Sequence, residues 1–74
     1  MTKQEATNLI LTQVNNKAHS YKFDTVIIEP ITEATTGEIT GYCVSAKFTA
    51  QHTNHTSNYD VKIITLNDGS IFKL

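Results

Sequence analysis

Hydrophobic positions follow a helical period at the start of the chain and a strand period through the rest of it. Apolar residues recur three or four positions apart on one side of the first segment: Ala6, Leu9, Ile10, Val14 and Ala18. Thr2 and Glu5 have the spacing of a capping box, which predicts where the helix begins. The asparagine pair at 15–16 disfavours further helix, so we expect the helix to end near Lys17 or Ala18.

From about residue 21 onward, apolar and polar residues alternate, as they do in strands with one buried face. Turn residues at 35–37 and 67–69 divide this region. Four strands are predicted, over residues 21–31, 39–51, 58–66 and 70–74. Both faces of the first strand become apolar at 26–28, which predicts a bulge or bend there, and Pro30 places that end of the strand at an edge or a bulge.

The second strand has the clearest alternation. Its apolar set is Tyr42, Val44, Ala46 and Phe48, extended by Thr40 and Ala50; the opposite set is Gly41, Cys43, Ser45, Lys47 and Thr49. We expect the apolar set to face Leu9, Ile10 and Val14 of the helix. The sequence therefore predicts a single α+β domain over residues 1–74, in which an N-terminal helix packs on a four-stranded antiparallel meander, in the order α-β-β-β-β.

Composition narrows the function classes. The formal net charge is −1, and the six basic residues are all lysines scattered along the chain. Nucleic-acid binding usually uses a basic stripe with arginine, so direct binding of nucleic acid is not expected. The single cysteine, Cys43, excludes an internal disulfide. The polar start is unlike a signal peptide, and apolar runs are too short to span a membrane, so a cytoplasmic protein without membrane contact is expected.

Two segments carry a family resemblance. The helix start at 2–6, and the strand at 59–63 followed by 68–71, resemble the PepSY and cystatin-like group of small domains. The resemblance implies one helix laid across an antiparallel sheet. The Gln-x-Val-x-Gly hairpin of inhibitory cystatins is absent between the second and third strands, so the resemblance does not imply protease inhibition. PepSY-like domains are usually exported or membrane-linked, and the polar start departs from that pattern.

Each group of candidate catalytic or metal-binding residues also has a simpler interpretation. His52 and His55 lie three apart in the polar segment 52–58, and together with a carboxylate such as Asp60 they could hold zinc or nickel; exposed loop histidines are the simpler interpretation. Cys43 lies in mid-strand, which is typical of an inert thiol rather than a nucleophile. Three glutamates near the first hairpin are interpreted as solvated rather than catalytic: Glu29, Glu33 and Glu38. We expect no enzyme activity, cofactor or metal ion.

The face opposite the helix is mildly apolar, and such a surface often marks contact with another protein. We predict protein contacts by sheet residues and by loop residues: Ile39, Cys43, Ser45, Ile64 and Leu66, with His52, Asn54 and His55. The predicted function is a non-enzymatic protein-binding module, an inhibitor that covers a functional surface of its partner. A small metal- or ligand-binding module and a homodimer or other homo-oligomer subunit remain alternatives. The lysine, asparagine, isoleucine and threonine bias is typical of AT-rich genomes, which associates the chain with a bacteriophage or mobile element acting against a host defence enzyme.

Overall fold

The computed structural model describes residues 1–14 and 17–74. Within these residues the chain forms one helix and four strands: α1 (Lys3–Val14), β1 (Ser20–Thr32), β2 (Ile39–Gln51), β3 (Thr56–Leu66) and β4 (Ile71–Lys73). The strands make one antiparallel sheet in the order β1-β2-β3-β4. The predicted α+β arrangement, α-β-β-β-β, is confirmed. The long β1 is an edge strand, as Pro30 predicted.

The helix begins at the predicted capping box. The backbone N–H of Glu5 donates to Thr2 Oγ1 at 3.1 Å, and the backbone N–H of Thr2 donates to Glu5 Oε1 at 2.9 Å. The bond from the Thr2 backbone lowers the pKa of the Glu5 carboxyl, because it stabilises the charged form. Lys17 and Ala18, near which the helix is predicted to end, are not helical, and the pair 15–16 that precedes them lies outside the described residues.

One extra residue in β1 decides which side chains face the helix. Phe23 pairs with Phe48 and Thr25 pairs with Lys47, so Asp24 has no partner of its own and forms a bulge. The alternation changes phase there, and Val26 falls on the same face as Phe23. The predicted irregularity is confirmed, but it lies before 26–28. A second shift, at Thr40 of β2, changes the phase near the first hairpin.

The core lies between α1 and one face of the sheet, here called the inner face. Its buried residues form one cluster: Ala6, Ile10, Val44, Ala46, Phe48, Val61 and Ile63. Leu9, Val14 and Tyr42 are partly buried and pack against this cluster, so the predicted orientation of β2 is confirmed. Phe48 lies in a row of stacked rings across three strands, with ring centroids 4.7 Å from Phe23 and 5.1 Å from Tyr59.

The connections between strands are short. The β2–β3 turn covers only residues 52–55, because β3 begins at Thr56; the predicted loop over 52–58 is too long. Gly37 and Gly69 have φ angles of 75° and 92° in the other two hairpin connections. These positive values, which glycine adopts readily, agree with the turns predicted at 35–37 and 67–69.

The molecule is extended for its length. It measures 51 × 20 × 19 Å and has a Cα radius of gyration of 13.8 Å, against roughly 11 Å for a compact domain of this length. Its accessible surface is 5062 Å², against roughly 4500 Å² for a typical monomer of this size. The 12-residue helix is about 18 Å long, so it covers only part of one face of the sheet. None of the helices in the described residues is long and apolar enough to cross a membrane.

Candidate protein-binding face

The face of the sheet opposite α1, here called the outer face, has an apolar half. The register brings residues from all the strands together there: Ile27, Glu29, Ile31, Gly41, Cys43, Ser45, Lys62, Ile64, Leu66, Phe72 and Leu74. One row across the sheet reads Glu29, Cys43, Ile64, Phe72. We call this set the apolar half. Leu74 belongs to it because its backbone N–H donates to the Lys62 carbonyl, which continues the β4 ladder.

The apolar half is open to solvent. Ile27, Phe72 and Leu74 are 53%, 52% and 67% exposed, whereas Cys43 and Ile64 are half-buried between their neighbours. The helix packs on the inner face, so among the described elements none covers this half. Contiguous patches of exposed apolar surface larger than a few hundred Å² are uncommon on monomeric proteins and often mark interaction sites.

Gly41 shapes one corner of the apolar half. A Cβ added there would meet the Thr65 carbonyl and would lie 2.8 Å from Leu66 Cδ2. Because glycine leaves this space free, Leu66 leans across β2 and fills the position beside it. The alternation predicted Gly41 on this face, but only the structure shows why a side chain is excluded.

The β3–β4 turn positions Phe72 and Leu74. Asn67 ties the turn to β2, since its backbone N–H donates to the Thr40 carbonyl and its Nδ2 donates to the Ile39 carbonyl at 2.8 Å. The Asp68 carboxylate accepts the Ser70 backbone N–H at 2.9 Å, which lowers the pKa of that carboxyl. The short β4 is thus held in register with β3, and its alternate side chains reach the outer face.

The other half of the outer face is polar. Its cross-strand rows include Thr25–Lys47–Asp60 and Lys22–Thr49–Asn58. A depression of about 310 Å³ opens there, lined by Asp24, Lys47, Phe48, Asn58, Tyr59 and Asp60. In a bulge, both residues opposite a single partner point to the partner's side, which places Asp24 on the outer face with Lys47. This shallow depression sets the boundary of the apolar half.

The predicted sheet contacts come together with one exception. Cys43, Ser45, Ile64 and Leu66 all lie in the apolar half. Ile39 does not, because it pairs with Thr32 beyond the phase change at Thr40 and so falls on the opposite side of the sheet. Its grouping with Cys43 is wrong.

The sequence does not identify the three most exposed apolar residues of the apolar half, which are Ile27, Phe72 and Leu74. Uninterrupted alternation from Phe23 would place Ile27 on the same face as Phe23, and the bulge at Asp24 reverses that placement. Phe72 and Leu74 were not assigned to the site, although counting the register through the turn at 67–69 could have placed them beside Ile64.

The predicted loop contacts form a separate site. His52, Asn54 and His55 lie in the β2–β3 turn at the far end of the sheet. Gln51, at the start of that turn, is eight residues along β2 from Cys43, which corresponds to about 26 Å. The apolar half and the turn are therefore two distinct surfaces, and one small partner epitope would not contact both.

The geometry of the turn disfavours a metal site. The rings of His52 and His55 are stacked, with centroids 4.4 Å apart and planes inclined by 14°. Imidazole lone pairs lie in the ring planes, so stacked rings direct them side by side rather than towards one ion. Within the described residues there is no group of three or more histidine, cysteine, aspartate or glutamate side chains placed to hold a metal. His19 instead contacts the turn through Nε2, 2.7 Å from Thr53 Oγ1.

Comparisons with protein-family models, curated proteins and solved structures found no match to this chain.

Proposed function

We propose that this chain is a non-enzymatic protein-binding module whose contact surface is the apolar half of the outer face. The observation that carries the proposal is the exposure of Ile27, Phe72 and Leu74 together on a face that α1 leaves open. Burying apolar surface stabilises a complex by roughly 25 cal/mol per Å² before the costs of association. A partner that lies on this face would remove that surface from water.

The shape of the face supports binding by occlusion. It is about 19 Å wide, from strands spaced about 4.8 Å apart, and its depression lies in the polar half. Such a face can cover a flat epitope, whereas a deep cleft would be needed to enclose a small substrate. We therefore propose that the module acts as an inhibitor by lying over a functional surface of another protein.

Affinity capture tests the proposal with a matched pair of variants. Phe72 and Ile71 are neighbours on β4 that point to opposite faces. The immobilised protein and its Ile71→Asp variant should retain a stoichiometric partner from lysate of the cells that express it, and Phe72→Asp should lose that partner. Retention by all three proteins, or by none, would contradict the proposed surface.

A further inference from the structure

The pattern of large and small side chains on the outer face matches a second copy of itself. In the apolar half, β2 contributes the small residues Cys43 and Ser45, and β3 places the long residues Ile64 and Lys62 directly beside them. A column of small residues next to a column of large ones is self-complementary, because a two-fold rotation lays each column on the other.

We propose that this chain forms a symmetric dimer by packing the outer faces of two copies together. The two-fold axis runs along the strands between β2 and β3, so that β2 of one copy lies over β3 of the other and β1 lies over β4. The inference rests on the proposed function in that both use the apolar half as a contact surface. In the absence of another partner, the second copy covers it.

Steric fit follows directly from the register. With this axis, Cys43 faces Ile64 of the second copy, and Ser45 faces its Lys62. At the flanks, Ile27 faces Leu74 of the second copy, which pairs two of the most exposed apolar residues. Two sheets packed face to face lie about 10 Å apart with their strands inclined by roughly 30°, and large-over-small contacts suit that spacing.

Charges are also matched. Lys47 and Asp60 are cross-strand neighbours on β2 and β3, so each faces the other's equivalent in the second copy. Glu29 and Lys62 are the charged members of the apolar half, and they lie on β1 and β3, on either side of β2. The rotation brings Glu29 to a position diagonal to Lys62 of the second copy. Opposite charges thus meet directly at Lys47 and Asp60, and the two diagonal Glu29 carboxylates offset the approach of the two Lys62 side chains on either side of the axis.

The available area is sufficient for a stable dimer. An axis along the strands superposes the faces over their full length, about 43 Å for the 13 residues of β2. Because β3 has 11 residues and β4 only three, the flat footprint of the four strands is about 630 Å² per copy, which lies towards the lower end of the range for specific protein–protein interfaces. The accessible surface of the single chain, larger than that of a typical monomer, is in keeping with a face that association covers.

Sedimentation equilibrium from micromolar to millimolar protein tests the dimer. The unmodified chain should reach the mass of two copies. Phe72→Asp should raise the dissociation constant roughly a hundredfold or more, because each dimer would then bury two unpaired carboxylates. Ile71→Asp, on the opposite face, should dimerise normally. A monomer throughout the range, or a dimer indifferent to Phe72→Asp, would overturn the inference.

A charge exchange tests the axis. Glu29→Lys alone and Lys62→Glu alone should each weaken the dimer about tenfold, since each places like charges across the interface. The double variant should restore the original dissociation constant. Circular dichroism checks that each variant is folded. Weakening that the double variant does not reverse would overturn this arrangement of the two copies.

The two proposals fail separately. A monomeric chain that still captures another protein through Phe72 would remove the dimer and leave the proposed function intact. A dimer that depends on Phe72 but captures no other protein would support the dimer and contradict the proposed function.

Discussion

The two faces of the sheet use the same strands for different purposes. On the inner face, Val44, Phe48 and Ile63 are at most 1% exposed and pack beneath α1. On the outer face, Ile27 and Phe72 are more than half exposed. Because side chains alternate along a strand, each strand contributes to both faces. The comparison teaches that the place of a residue in the alternation along its strand decides whether it stabilises the core or, by our proposal, contacts a partner.

The separation between the two faces follows from the helix content of the described residues. They form one helix, and one helix can cover only one face of the sheet. The uncovered face must then be polar, or be covered by another molecule. One half of the outer face is polar, and we propose that another molecule covers the apolar half.

The largest expected effect contrasts a phenylalanine on each face. Phe48→Ala should lower the free energy of unfolding by about 3–5 kcal/mol, because it leaves a cavity in the stacked row formed with Phe23 and Tyr59. Phe72→Ala should change it by no more than about 0.5 kcal/mol in the monomer. Urea denaturation at low micromolar concentration measures both. Similar losses of stability for the two variants would show that the two faces contribute equally to stability, which would contradict this contrast.

A second effect identifies the place where the outer face affects stability. Gly41→Ala should cost about 1–3 kcal/mol, because the new Cβ would press on the Thr65 carbonyl and the Leu66 side chain and force β2 and β3 apart. Ser45→Ala, on the same face of β2, is the control and should cost less than about 0.5 kcal/mol. The same denaturation experiment applies. A Gly41→Ala variant as stable as the parent would show that β2 and β3 can move apart there at little cost in free energy.

The cap of the helix offers a smaller effect. Thr2→Ala should cost about 1 kcal/mol, because the Glu5 backbone N–H loses the Thr2 Oγ1 acceptor. Thr2→Ser keeps the hydroxyl and should be close to the parent. Thermal unfolding followed by circular dichroism distinguishes them. An equal loss of stability in both variants would mean that the Thr2 hydroxyl does not stabilise the start of α1, the helix that packs on the inner face.

Local patterns in the sequence predicted most of the fold. The capping box, the turn at 67–69 and the alternation from Tyr42 to Phe48 depend on neighbouring residues, so they can be recognised without knowledge of the fold. The bulge could be placed only approximately, because both faces of β1 are apolar at 26–28 and the alternation there fits either phase. The sheet decides, by pairing Phe23 with Phe48 and Thr25 with Lys47.

The candidate site was harder to predict because it depends on register. Cys43 and Ile64 could be paired by assuming adjacent hairpins, and that pairing is correct. Ile39 was misplaced because a single unpaired residue, Thr40, reverses the phase without an apolar signal. Glu33 shows a different limit, because a solvated glutamate and one whose carboxylate accepts hydrogen bonds from its own loop have the same sequence pattern.

The smallest effect concerns the connection between β1 and β2, which is held by polar bonds rather than by burial. The Glu33 carboxylate accepts the backbone N–H groups of Thr35 and Thr36 at 3.0 and 2.8 Å, and the hydroxyl of Thr36. These bonds, that from Thr35 first, lower the pKa of Glu33 to about 2. An unfolded glutamate titrates near pH 4.3, so the carboxylate stabilises the loop above that pH, and the contribution is lost as pH falls towards the folded value.

Acid should therefore loosen this connection before it affects the inner face. Carboxyl-carbon NMR should show Glu33 titrating well below a free glutamate, with faster amide exchange at Thr35 and Thr36 over the same range. Glu33→Gln should remove that pH dependence, because the amide does not change charge. If the amide of Phe48 responded together with that of Thr36, the loop and the helix-covered core would open as one unit. A response confined to the loop would show instead that the part of the sheet beyond the core depends on its own hydrogen bonds, and that the inner face alone sets global stability.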